Sequence, residues 1–101
     1  MEQIYDLYNG YYERSDTDLT INFKKTDGEF SELTCTYKEG SFSSTVELKE
    51  GISEFEFRDS NNDQGSGTLK LTNTGISILI ESESFNMIEA SFSFDEKKDQ
   101  I

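Results

Sequence analysis

Between Glu47 and Asp63 stand six carboxylates, Glu47, Glu50, Glu54, Glu56, Asp59 and Asp63, with only Lys49 and Arg58 among them as cations. Carboxylates grouped in this way accept charge-assisted hydrogen bonds from guanidinium and ammonium groups, as phosphate oxygens do. Paired carboxylates also carry out acid–base hydrolysis when a bond is held between them. With twenty-one acidic residues in the chain, some pair always lies close, so proximity alone does not single out a catalytic pair. Nucleophilic catalysis by Ser, Thr or Cys usually needs a base beside the nucleophile, most often histidine. The chain has no histidine. The only cysteine, Cys35, alternates with Leu33 and Tyr37 on the inward parity of a strand, which makes it a small buried hydrophobe rather than a reactive thiol. The expectation is a protein that is not an enzyme and works by binding.

The stretch Asp59-Ser60-Asn61-Asn62-Asp63-Gln64-Gly65 places side-chain oxygens at alternating positions, like the opening of a calcium loop. Gln64 occupies the position of the sharp-turn glycine, Lys70 that of the closing glutamate, and the flanks alternate like strands. A solvated hairpin loop of good turn formers accounts for it better. No metal and no cofactor is expected.

These groups sit in a chain of 101 residues with nine basic against twenty-one acidic residues, a formal charge of −12. That balance repels nucleic acid and anionic membranes and draws in basic partners by long-range steering. One cysteine excludes an internal disulfide. The start, Met1 to Asp6, lacks the basic region and apolar run of a secretory signal. No stretch reaches the roughly 18 apolar residues that span a bilayer. A soluble cytoplasmic protein is expected.

The elements that must position the carboxylates are strands. Apolar residues alternate at Leu19, Ile21 and Phe23, at Leu33, Cys35 and Tyr37, at Phe42, Val46 and Leu48, and at Phe55 and Phe57. The pattern continues with Leu69 and Leu71, with Ile76, Ile78 and Ile80, and with Ile88, Ala90, Phe92 and Phe94. Glycine-bearing turns separate the runs, and the alternation of dry and wet positions is antiparallel in kind. The expected fold is all-β, a single antiparallel small barrel or sandwich of about seven to eight strands. One domain covers residues 1–101, with a tail over 96–101 that frays. In the segment 1–13, Ile4, Leu7, Tyr8 and Tyr11 fall at helical spacing and predict a short capping helix. A hairpin about Glu50-Gly51 would place Glu47, Glu54 and Glu56 on one outward face, where like charges repel until a partner brings lysine and arginine.

Asn9-Gly10-Tyr11-Tyr12 ahead of glycine-punctuated strands resembles the opening of lipocalin-type barrels, with Tyr12 in place of the family's tryptophan. That resemblance implies an apolar cavity lined by Phe23, Tyr37, Phe57 and Phe92, and a carrier of a small apolar ligand. In size, acidity and lack of catalytic groups the whole chain is similar to bacterial immunity proteins of the contact-dependent inhibition type. These neutralise toxins, often nucleases with basic clefts. Phage-encoded inhibitors that mimic nucleic acid share the profile. The leading expectation is an acidic inhibitor of a basic protein partner. Glu47, Glu50, Glu54 and Glu56 supply the charge, Asp59 and Asp63 a flexible acidic loop, and Tyr8 or Tyr12 an aromatic anchor.

Overall fold

A computed structural model describes residues 7–98 other than 15, 17, 29, 39 and 84. Within them the chain forms two antiparallel sheets. The first contains β1 (Gly10–Glu13), β2 (Thr20–Asp27), β3 (Phe30–Tyr37), β4 (Gly40–Glu47) and the two-residue β9 (Lys97–Lys98), in the order β4-β3-β2-β1-β9. The second contains β5 (Ile52–Arg58), β6 (Gln64–Leu71), β7 (Gly75–Ser82) and β8 (Phe85–Ser93), in chain order. Among the described residues no helix is long and apolar enough to cross a membrane.

The inward residues form one core between the sheets. It includes Leu19, Ile21, Phe23, Leu33, Cys35, Phe42, Val46, Phe55, Phe57, Leu69, Ile76, Ile78, Ile80 and Phe92. These are the positions that the alternation assigns to the dry face, because successive side chains of a strand point to opposite faces. Burial holds the Cys35 thiol protonated far above its ordinary range.

The sheets do not close into a barrel. The chain crosses from β4 to β5 through Glu50 and Gly51 (φ 91°) without forming a ladder between them. Side chains bridge that seam instead: Ser44 Oγ donates to the Glu56 carbonyl (3.0 Å) and Ser53 Oγ to that of Glu47 (2.7 Å). Beneath the seam Phe42 of β4 stacks on Phe57 of β5, with centroids 3.7 Å apart and rings 10° from parallel. The rings have room because Gly65 and Gly67 face inward on β6. A Cβ at Gly65 would lie 2.4 Å from Phe57 Cζ, and one at Gly67 would lie 2.6 Å from Phe55 Cζ. The four rings assigned above to a ligand cavity, Phe23, Tyr37, Phe57 and Phe92, are all members of this packed core.

Both ends of the described stretch depart from expectation. Ile4 of the helical pattern lies outside the described residues. Leu7 and Tyr8 belong to a short 3-10 turn, and Tyr11 and Tyr12 are in strand β1, not in a helix. Their neighbours decide this: β1 pairs with β2 from Gly10↔Phe23 to Glu13↔Thr20, which satisfies backbone groups that a short helix would leave open. At the other end Phe94–Glu96 form a 3-10 turn, and Lys97 and Lys98 pair with Tyr12 and Tyr11. The part of the tail described through Lys98 is therefore structured. Lys97 passes over Gly10, where a side chain would collide with it, and its ammonium donates to the carbonyls of Leu7 (2.6 Å) and Asn9 (3.2 Å).

Candidate functional site

The outer face of the second sheet gathers carboxylates from strands that are distant in sequence. On β5 Glu54 and Glu56 point outward, two residues and thus about 6.6 Å apart along the strand. Register places Ser66 of β6 and Glu81 of β7 in line with Glu56, and Thr68, Leu79 and Glu89 in line with Glu54. Glu56 and Glu81 are thus two strand spacings apart, about 9.6 Å. The short side chains of Ser66 and Thr68 form a floor between them. The result is a shallow trough of about 550 Å³ with Glu54, Glu56 and Glu81 on its walls and Leu79 at its base. A second depression, of about 380 Å³, shares Glu56, Ser66 and Glu81 and reaches Glu83.

Little within the chain neutralises these groups. Among the described residues none of the ion pairs involves Glu54, Glu56 or Glu81: Arg14 pairs with Asp16 and with Glu96 (3.2 Å), and Lys49 with Glu47 (3.9 Å). Arg58 donates to the Asn62 carbonyl (2.8 Å). Gln64 Nε2 lies 3.5 Å from Glu56 Oε1, a long contact. Arg14 is held on the opposite flank, where its bond to Asp16 keeps that carboxyl below the usual range and the guanidinium above its own.

The other sequence candidates separate. Glu47 ends β4 in the first sheet, so it does not share a face with Glu54 and Glu56, because β4 and β5 do not form a hairpin. Glu50 is exposed in the crossing between the sheets. Asp59 is buried and serves its own loop: Oδ1 accepts the amides of Asn61 (2.9 Å) and Asp63 (3.0 Å), and Oδ2 accepts the Tyr37 hydroxyl (3.2 Å). With Asn62 at φ 66° and its amide bonded to the Asp59 carbonyl, the loop is a hydrogen-bonded Asx turn and not a flexible acidic arm. Asp63 remains half-buried at its end. Among the described residues no group of three or more Cys, His, Asp or Glu is placed to hold a metal.

The two tyrosines proposed as anchors belong to the interior. Tyr12 is fully buried, with its ring edge-on to Phe23 (6.2 Å, 85°) and against Phe92, and its hydroxyl donates to the Tyr8 carbonyl (2.8 Å). Burial, helped by nearby Tyr8, pushes its hydroxyl up to about 12. Tyr8 is half-buried against Phe94 and donates to the Thr72 carbonyl. Neither ring can leave its place without opening the end of the core.

Sequence reasoning missed Glu81 and Glu89. Both lie outside the dense acidic stretch; the β6–β7 register brings Glu81 into the trough, and the β7–β8 register sets Glu89 beside Leu79 on the same face. The signal was available in the Asn73-Thr74-Gly75 turn: pairing outward from it aligns Glu81 with Ser66. Comparison of the chain with protein-family models, curated proteins and solved structures finds no match.

Proposed function

We propose that this chain is an acidic inhibitor of the immunity-protein type, which binds a basic protein, most plausibly a toxin nuclease, and blocks it by placing carboxylates where phosphates would bind. The observation that carries the reading is the trough of the second sheet, where Glu54, Glu56 and Glu81 converge with no ion pair to a cation among the described residues. Like charges held this close on one face cost stability, and lysine or arginine from a partner removes the cost through charge-assisted hydrogen bonds. The chain's charge of −12 supplies the long-range attraction that speeds encounter at low salt. With Tyr8 and Tyr12 committed to the core, Leu79 at the base of the trough is the apolar contact available to a partner's side-chain stem.

The test compares immobilised wild type with the double variant Glu54→Lys/Glu56→Lys in host lysate, followed by a nuclease assay on the retained protein. The expected result is a basic protein held by the wild type at low salt, released as salt rises, absent from the variant and inactive while bound. Retention of the same proteins by the variant would overturn the proposal.

A further inference from the structure

Hydrogen bonds from described residues reach isolated points on the β4, β5 and β8 edges. The β4 edge is covered where Ser60 gives its amide to the Ser41 carbonyl (2.8 Å) and its hydroxyl accepts the Ser41 amide (3.1 Å). The β5 edge gives its Glu56 carbonyl to Ser44. On β8 only the last turn of the strand is covered: Ser91 gives its carbonyl to Arg14 (2.7 Å) and Ser93 its amide to Glu96 (2.8 Å). Backbone groups of successive strand residues point to alternate sides, so Ser91 and Ser93 show that Glu89 also turns its amide and carbonyl away from β7. No hydrogen bond from the described residues reaches that side of Glu89. Beside it Met87 stands 59% exposed.

We infer that the edge of β8 at Glu89, which no described residue bonds, accepts a short, extended, basic segment of the partner as a fifth strand of the second sheet. The inference rests on the inhibitor reading above and adds a backbone component to it. An added strand would lie about 4.8 Å from β8. It would extend the row Glu54, Thr68, Leu79, Glu89 by one position, so that an outward lysine or arginine there sits beside the Glu89 carboxylate. Main-chain hydrogen bonds then supply affinity and the alternate side chains supply selection, as in other strand-addition complexes. Charge decides the occupant. A second copy paired on the same edge would bring two Glu89 carboxylates together and two chains of −12 into contact, and like charges across strands oppose pairing.

The test uses a blocked heptapeptide of alternating lysine and valine, and the same peptide N-methylated on alternate residues so that one backbone edge loses its donors while its charge is kept. Backbone amide shifts of the wild-type protein at residues 87–90 report binding. The expected result is binding of the unmodified peptide and roughly tenfold weaker binding of the methylated one, the size of a lost set of edge hydrogen bonds. Glu89→Pro, which removes the outward amide but leaves the β7 ladder intact, should weaken the unmodified peptide similarly, and Glu89→Gln less. Circular dichroism checks that Glu89→Pro folds; the two peptides test the inference on wild type regardless. Equal binding of both peptides, lost in Glu54→Lys/Glu56→Lys, would overturn the edge inference while leaving the acidic face intact as a binding surface. Failure of the unmodified peptide to bind at millimolar concentration would overturn it too. So would a concentration-dependent dimer abolished by Glu89→Pro, which would give the edge to a second copy.

Discussion

Across the outer face of the first sheet one row runs Thr20, Thr36, Ser41 and the next Asn22, Thr34, Ser43, while Lys24 stands opposite Glu32. Across the second sheet the rows run Glu56, Ser66, Glu81 and Glu54, Thr68, Leu79, Glu89. On the first face Thr34 and Ser43 share a hydrogen bond (3.2 Å) and Lys24 is in register opposite Glu32, with Glu13 and Glu47 at the margins. The second gathers Glu54, Glu56, Glu81 and Glu89 about a floor of small side chains, with the cations Arg58 and Lys70 in the flanking rows. Two sheets with the same inward alternation and a shared core therefore differ in what their outer faces leave unsatisfied. The second arrangement is the observation on which the proposed inhibitor role rests.

The largest effect that would disturb this comparison comes from beneath the acidic face. Gly67→Ala forces a methyl group to within 2.6 Å of Phe55 Cζ and 2.8 Å of the Leu79 carbonyl. It should cost about 1–3 kcal/mol by urea denaturation, whereas Ser66→Ala on the outside of the same strand should stay within about 0.5 kcal/mol. Equal effects would mean that the glycines do not make room for the rings.

A second test acts on the joint between the sheets, where Tyr12 of the first packs against Phe92 of the second. Its hydroxyl is raised from 10.0 to about 12, so the folded state holds that proton more tightly than the unfolded state. Its contribution is whole below pH 10 and is lost as pH climbs toward 12. Wild type should therefore lose stability over that interval faster than Tyr12→Phe; parallel curves would remove Tyr12 as the titrating group.

The smallest effect separates the two faces by sign. Glu32→Gln removes the carboxylate in register opposite Lys24 and should cost about 0.2–0.5 kcal/mol. Glu56→Gln relieves repulsion from Glu54 and Glu81 and should stabilise by a similar amount, with both effects shrinking as salt screens them. Effects of the same sign would show that the two faces are electrostatically alike.

The inward register was legible because a dry face imposes period two on every strand: Leu33, Cys35 and Tyr37 follow from that rule and lie where it places them. What period two does not carry is which strands pair. Glu50-Gly51 has the composition of a hairpin turn like Asp27-Gly28, yet one joins β2 to β3 and the other crosses between sheets. The stacking of Phe42 on Phe57 and the serine bridges favour that crossing, and these are contacts between strands, invisible to a pattern read along one. Asp59 was misplaced for a related reason. An aspartate that accepts two loop amides has the same sequence signature as one that faces solvent. Tyr11 and Tyr12 read as helix because short apolar runs fit both periods, and only pairing with β2 decides between them.

Apart from β1 with β9, every strand pairs only with its neighbour in sequence. Such hairpins close short loops, which shortens the conformational search for an all-β chain and lets each sheet assemble from its own turns outward. The exception joins Tyr11 to Lys98, residues 87 positions apart, and carries the largest loop-closure entropy in the molecule. Loop-closure entropy therefore predicts that this pairing forms after the hairpins, so that the docking of Lys97 over Gly10 follows, rather than directs, the formation of the acidic face.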